Sequence, residues 1–207
     1  MTETNSAIRL VIFDMDGVLD RYDLNARLER LSAVTGKTPD AIHTAIWKSG
    51  FEDDADAGKF SAQEYLAGFS KRVGVPVSRS DWVAARRVAM DPNQDVLSLA
   101  ADLKRRAGIA VLTNNGFLVK ESFEQLFPQL PPLFGDKLHV AAEFGAKKPD
   151  PEVYRRLLAR HGIEPRAAIM IDDKPENVTG AEAAGLLGHR YQGFDGLKER
   201  MKSIGLV

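Results

Sequence analysis

From Ile8 to Phe13 the chain is apolar apart from Arg9, and it runs without a break into Asp14-Met15-Asp16-Gly17. A short, nearly continuous apolar run that ends in a polar turn suits a strand buried in a parallel sheet, where both faces are covered. Three further runs repeat the pattern. Ile109 to Leu112 leads into Thr-Asn-Asn-Gly, Leu138 to Ala142 into a glycine-containing turn, and Ala168 to Ile171 into Asp172-Asp173. Helical patterns separate them, among them Pro151 to His161 closed by Gly162 and Glu176 to Ala184 closed by Gly185. Strands alternating with helices predict an α/β fold on a parallel sheet.

The stretch from about Leu24 to Met90 breaks this alternation, because it carries only helix signals and is longer than one crossover needs. Its markers are Thr38-Pro39 as N-cap and first turn, Ser61 with Glu64 as a capping box, and Ser80 before Asp81 and Trp82. The expected organisation is therefore a core formed by residues 1–20 and 91–207, interrupted by an inserted helical unit over residues 21–90. Phe127 to Phe134, with three prolines, reads as a surface loop.

Composition narrows the partners. Lys and Arg number 28 against 29 Asp and Glu, so no overall charge draws the chain to nucleic acid or to an anionic membrane. With no cysteine, thiol nucleophiles, disulfides and thiolate metal sites are excluded, and any metal must take oxygen or imidazole ligands. The opening MTETNSAIRLVIF has no basic stretch before its short apolar segment, which points to a cytoplasmic protein. The expected partner is a small molecule, with the chain a monomer or a weak homodimer.

In an open parallel sheet, ligands bind beyond the carboxyl ends of the strands, so the polar residues that follow each apolar run are the candidates. Asp14 and Asp16 stand two residues apart, a spacing that in extended chain sends both carboxylates to one side. Two such charges call for a cation, and Mg²⁺ is the hard divalent ion that commonly takes one or two carboxylates plus phosphate oxygens. Thr113 and Asn114 offer a hydroxyl and an amide to phosphate oxygens. Lys148, held before Pro149-Asp150-Pro151, offers an ammonium, and by charge alone Lys147 is its equal. Asp172 and Asp173 add carboxylate oxygens, with Asn177 one turn further on.

These residues, in this order, resemble the four motifs of the haloacid dehalogenase superfamily. Asp14-Met15-Asp16-Gly17-Val18 is similar to the first motif, Thr113-Asn114 to the second, Lys148 in Lys-Pro-Asp-Pro to the third, and Asp172-Asp173 with Ala183-Ala184-Gly185 to the fourth. The resemblance implies a Rossmann-like core with a helical cap inserted soon after the first motif. It also implies roles: Asp14 as nucleophile and metal ligand, Asp16 as acid and base and as a metal ligand through its carbonyl, Thr113 and Asn114 on the phosphoryl group, Lys148 as its counter-charge, and Asp173, with Asp172, completing the Mg²⁺ site. Asn177 stands where the more frequent fourth motif is acidic, a form that resembles the sugar-phosphate phosphatases. The carboxylate of Asp16, absent from the namesake dehalogenases, argues for phosphoryl transfer.

The expected activity is Mg²⁺-dependent hydrolysis of a small phosphate monoester through an aspartyl phosphate. Asp16 must begin protonated to serve as the acid, and the negative charge gathered around it is expected to favour that form. The same motifs fit a phosphomutase, or a phospho-acceptor signalling module, although such a module needs neither Asp16 nor a helical insertion. No Gly-x-Gly-x-x-Gly follows the first strand, which speaks against a dinucleotide enzyme. Trp47 and Gly50, with Lys48 and Phe51, lie where an insertion could meet substrate, while Trp47 and Phe51 also suit the insertion's own core. His43, His139, His161 and His189 show no ligand spacing and read as surface or packing residues.

Overall fold

The computed structural model describes residues 7–207, so the first six residues of the amino-terminal stretch read above lie outside it. Strand β1 (Leu10–Phe13) is followed by a short strand β2 (Asp20–Tyr22) and then by helices α1 (Leu24–Thr35), α2 (Pro39–Ile46), α3 (Phe51–Asp56), α4 (Ala62–Val73) and α5 (Arg79–Arg87). Strand β3 (Met90–Pro92) returns antiparallel to β2, pairing Asp20 with Pro92 and Tyr22 with Met90. The helical insertion thus enters and leaves through one two-stranded ribbon.

After α6 (Gln94–Leu103) come β4 (Gly108–Thr113) and the short helices α7 (Phe117–Lys120), α8 (Phe123–Leu126) and α9 (Leu130–Phe134). Then follow β5 (Leu138–Val140), α10 (Pro151–His161), β6 (Ala168–Asp172), α11 (Pro175–Ala183), β7 (Leu187–Arg190) and α12 (Phe194–Ser203). The five long-range strands form one parallel sheet in the order β5-β4-β1-β6-β7. From β1 the chain builds first to one side and later to the other, so the switch point lies at the carboxyl end of β1, where open α/β sheets bind ligands.

The apolar runs are explained by two cores. Val11, Phe13, Ile109, Val111, Ile169 and Ile171 face one side of the sheet, and Leu10, Ile12, Ala110, Leu112, Ala168 and Met170 face the other. Each fully buried aliphatic or aromatic side chain contributes about 1.5–3 kcal/mol, which fixes the register, because a slip of one residue would exchange the two faces. In that register Phe13 lies between Val111 and Ile171. One step further on, Asp14 comes level with Asp172.

Three expectations are corrected. Phe127 to Phe134 is not a surface loop: Phe127, Leu130 and Phe134 are buried at helical spacing, and Pro131 occupies the first turn of α9, where a missing N–H costs nothing. The N-cap of α5 is Ser78 and not Ser80, since the Ser78 hydroxyl accepts from the Asp81 amide at 3.1 Å while Ser80 already lies in the helix. The third predicted strand stops at Val140, because the Glu143 carboxylate accepts from the Val140 amide at 2.9 Å and winds residues 141–144 into a 3₁₀ turn. The fifth strand, β7, and the β2/β3 ribbon escaped the sequence reading, being short and poor in apolar residues. The capping box at Ser61 and Glu64 is present, as is the Thr38-Pro39 start of α2.

Candidate active site

Asp14 leaves the sheet at the end of β1 with 5% of its surface exposed. Its Oδ1 accepts from the Met15 amide at 2.7 Å and from the Lys148 ammonium at 2.8 Å. Burial pushes its carboxyl up to about 8, against the pull of Lys148 and with the added repulsion of Asp172. Three residues on, Gly17 has φ +91 and lies against the Asp173 carboxylate, which a Cβ at that position would meet at 2.7 Å. The glycine therefore lets the turn close over Asp173.

Lys148 is the cation of this group and Lys147 is not. The Lys148 Nζ is fully buried, 2.8 Å from Asp14 and 2.6 Å from Asp172. Burial disfavours its charge, but Asp14 and Asp172 more than offset that and hold its pKa above the ordinary lysine value. Lys147 is half-buried and pairs instead with Asp53 of α3. The loop bearing Lys148 is braced from two directions. Asn114 donates from Nδ2 to the Lys148 carbonyl and accepts the Lys148 amide at Oδ1, both at 2.8 Å, so both ends of its side-chain amide serve the loop. On the other side Gly180 of α11 lies under the Pro149 carbonyl, where a side chain would collide.

Asp172 and Asp173 differ although they are neighbours. Asp172 is wholly buried and saturated: Oδ2 takes Lys148, while Oδ1 accepts from Asn177 Nδ2 at 2.9 Å and from the Lys174 amide at 3.0 Å. Those bonds and the Lys148 charge outweigh burial and keep its carboxyl below the ordinary range. Asp173 has a buried Oδ1 with no donor among the described residues. Burial, with Asp172 beside it, pushes its carboxyl up. Asp14, Asp172 and Asp173 each present an oxygen within 4.8 Å of the others. Two carboxylates joined by one ammonium and a third beside them with an unsatisfied oxygen form an all-oxygen donor set that suits a hard divalent cation.

Thr113 ends β4, buried, and its hydroxyl accepts from Asn115 Nδ2 at 2.8 Å. Asp16 lies at the mouth of the site, and here an expectation is corrected. Arg86 of α5 donates through Nη2 to both Asp16 oxygens, at 2.8 and 3.1 Å, so a guanidinium and not bare negative charge is its nearest charged neighbour. The sequence reading missed Arg86, although a signal exists: it stands four residues after Trp82 on the buried face of α5, where an arginine needs a partner.

Arg27 carries the same signal on α1, buried between the rings of Trp47 and Trp82 at 5.0 and 4.9 Å. Arg27 and Trp47, with Tyr22, Glu52 and Asp56, line a cleft of about 310 Å³ that runs from Asp16 and Lys148 to the insertion. Trp47 lines this cleft and is half-buried, whereas Gly50 begins α3 without lining it. Phe51 is core, stacked on Tyr65, and Lys48 is exposed beside Asp40. His139 and His161, far apart in sequence, meet at 2.9 Å through their Nε2 atoms, and His139 is buried. No described helix is long and apolar enough to cross a membrane.

Comparison with known proteins bears on the fold and the family. Phosphatase MT3486 of Mycobacterium tuberculosis is 28% identical over 97% of this chain and 97% of its own length. Among solved structures, a HAD-like family hydrolase from Porphyromonas gingivalis superposes with TM-score 0.80 at 20% identity, covering 94% of this chain and 98% of that one. A HAD family enzyme from Bacteroides thetaiotaomicron, solved in complex with magnesium and inorganic phosphate, gives 0.74 at 20% identity over 90% and 95%. The family model for haloacid dehalogenase-like hydrolases matches residues 8–185, and the chain is a member of that family.

Proposed function

We propose that the chain is a Mg²⁺-dependent phosphatase of small phosphate monoesters, a sugar phosphate being the class that the Asp-Asp-x-x-x-Asn form suggests, and that it works through an aspartyl phosphate on Asp14. The observation that carries this reading is the group of Asp14, Lys148 and Asp172, all buried, with half-buried Asp173 beside them at the switch point of the sheet. The printed names of the relatives support it: one is a phosphatase, and one neighbour was solved with magnesium and phosphate.

Asp14 and Asp173 would hold the ion, together with the Asp16 carbonyl, and Asp172 would serve chiefly to fix Lys148, since its own oxygens are taken. Bound Mg²⁺ supplies positive charge to the phosphoryl oxygens. The remaining work falls to the chain. The Asp14 oxygen not held by Lys148 attacks phosphorus while the ester oxygen departs with a proton from Asp16. Asp16 then takes a proton from a water that attacks the phosphoryl group, which releases phosphate and restores Asp14. Lys148 and Thr113 stabilise the equatorial oxygens. The Asn114 side chain is committed to the lysine loop, so its contribution to phosphate is its backbone amide. Residues 21–90 act as a cap over the leaving group, with Trp47 and the cleft beside it reading what departs.

The test is release of inorganic phosphate from a panel of sugar phosphates, nucleotides and other small monoesters. Chelation with EDTA is expected to stop release, Mg²⁺ to restore it and Ca²⁺ not to, because Ca²⁺ takes more ligands at longer distances. Full activity in EDTA would refute the metal reading.

A further inference from the structure

We propose that Arg86 is a positioning residue for Asp16, so that the helical insertion itself sets the aim of the acid and base that the core employs. The inference rests on the reading of Asp16 given above and goes beyond it, because it assigns part of the reaction's geometry to a side chain seventy positions away in sequence.

Three observations carry it. Arg86 is 2% exposed at the end of α5, and its Nη2 lies 2.8 and 3.1 Å from the two Asp16 oxygens. Its guanidinium is steadied from a second element by the Tyr22 ring of β2, 5.0 Å away, in the ribbon through which the insertion joins the core. The opposing carboxylate has little else to hold it: the only other side-chain hydrogen bond to Asp16 among the described residues is from Asn115 Nδ2 at 3.4 Å. Because one nitrogen spans both oxygens, one bond persists when the other oxygen carries a proton or faces the leaving group. A lysine could bring one nitrogen there but lacks the flat guanidinium that rests on the Tyr22 ring and fixes that nitrogen's place.

A group that aims the acid affects only substrates that need acid. Alkyl phosphates need a proton on the departing oxygen, whereas 2,4-dinitrophenyl phosphate expels a stable anion without one. The measurement is kcat/KM, which reports the steps through cleavage of the ester bond, for Arg86→Ala, Arg86→Lys, Asp16→Asn and the double variant Arg86→Ala/Asp16→Asn, on an alkyl and on the dinitrophenyl ester. Arg86→Ala is expected to lose about tenfold or more of kcat/KM on the alkyl ester relative to its loss on the activated one, a part of the range general acids contribute. The double variant is expected to be no worse on the alkyl ester than Asp16→Asn alone.

Equal losses on both esters would overturn the proposal and make Arg86 a substrate or packing residue, as would additive losses in the double variant. If Arg86→Ala does not fold, as judged by thermal unfolding, Arg86→Lys is held to the same ratio. Should Asp16→Asn retain full activity on the alkyl ester, the acid reading itself fails and the proposal with it, an outcome distinct from equal losses by Arg86 variants beside an impaired Asp16→Asn.

Discussion

Lys147 and Lys148 are adjacent but differently placed, one half-buried and paired with Asp53, the other buried between Asp14 and Asp172. Lys148→Ala is therefore expected to lower kcat/KM by about 10²–10³, the scale of losing one preorganised charge at a developing oxyanion, while Lys147→Ala stays within a few-fold of wild type. Equal losses would show that burial does not mark the working lysine. At this scale the sequence was legible where residues carry their chemistry on the chain in order: Asp14, Asp16, Thr113, Lys148 and Asp173 all come to one end of the sheet. It was not legible where the role depends on a neighbour. Asn114 offered an amide to phosphate, yet its two ends close on the Lys148 backbone. Nothing in the spacing separates those uses.

The elements show which physical signals travel well. Long apolar runs with alternating faces marked four of the five sheet strands, because burial on both sides demands them. The prolines of residues 127–134 misled, since the same residue breaks a helix in its interior and begins one at its start. The turn after β5 offers a test of local electrostatics. Burial raises the Glu143 carboxyl, but bonds from His139 and the Val140 amide and the charge of Lys120 outweigh it and bring the carboxyl from an ordinary 4.5 down to about 2. A depressed carboxylate stabilises the fold above its unfolded value and loses that contribution as pH falls to its folded one. Glu143→Gln is thus expected to unfold at a lower temperature than wild type at neutral pH, with the gap narrowing as pH drops from 4.5 towards 2. A gap independent of pH would show that the charge plays no part.

At the scale of the whole molecule, the core collects the proposed chemistry and the insertion adds Arg86, Arg27 and Trp47 beside it, so the proposed catalytic group draws on both parts. The core's share was readable from ordered motifs, whereas the insertion's share was hidden in arginines on apolar helix faces. Covalent attack by Asp14, as opposed to direct attack by water, is the central proposed step, and intact mass of the chain tests it most directly. Asp16→Asn lacks the base for the second step yet can still be phosphorylated by an activated ester, so with Mg²⁺ present rapid acid quenching should show the chain heavier by one phosphoryl group, mapped to Asp14. Asp14→Asn should show neither label nor turnover. Normal turnover by Asp14→Asn would contradict the account.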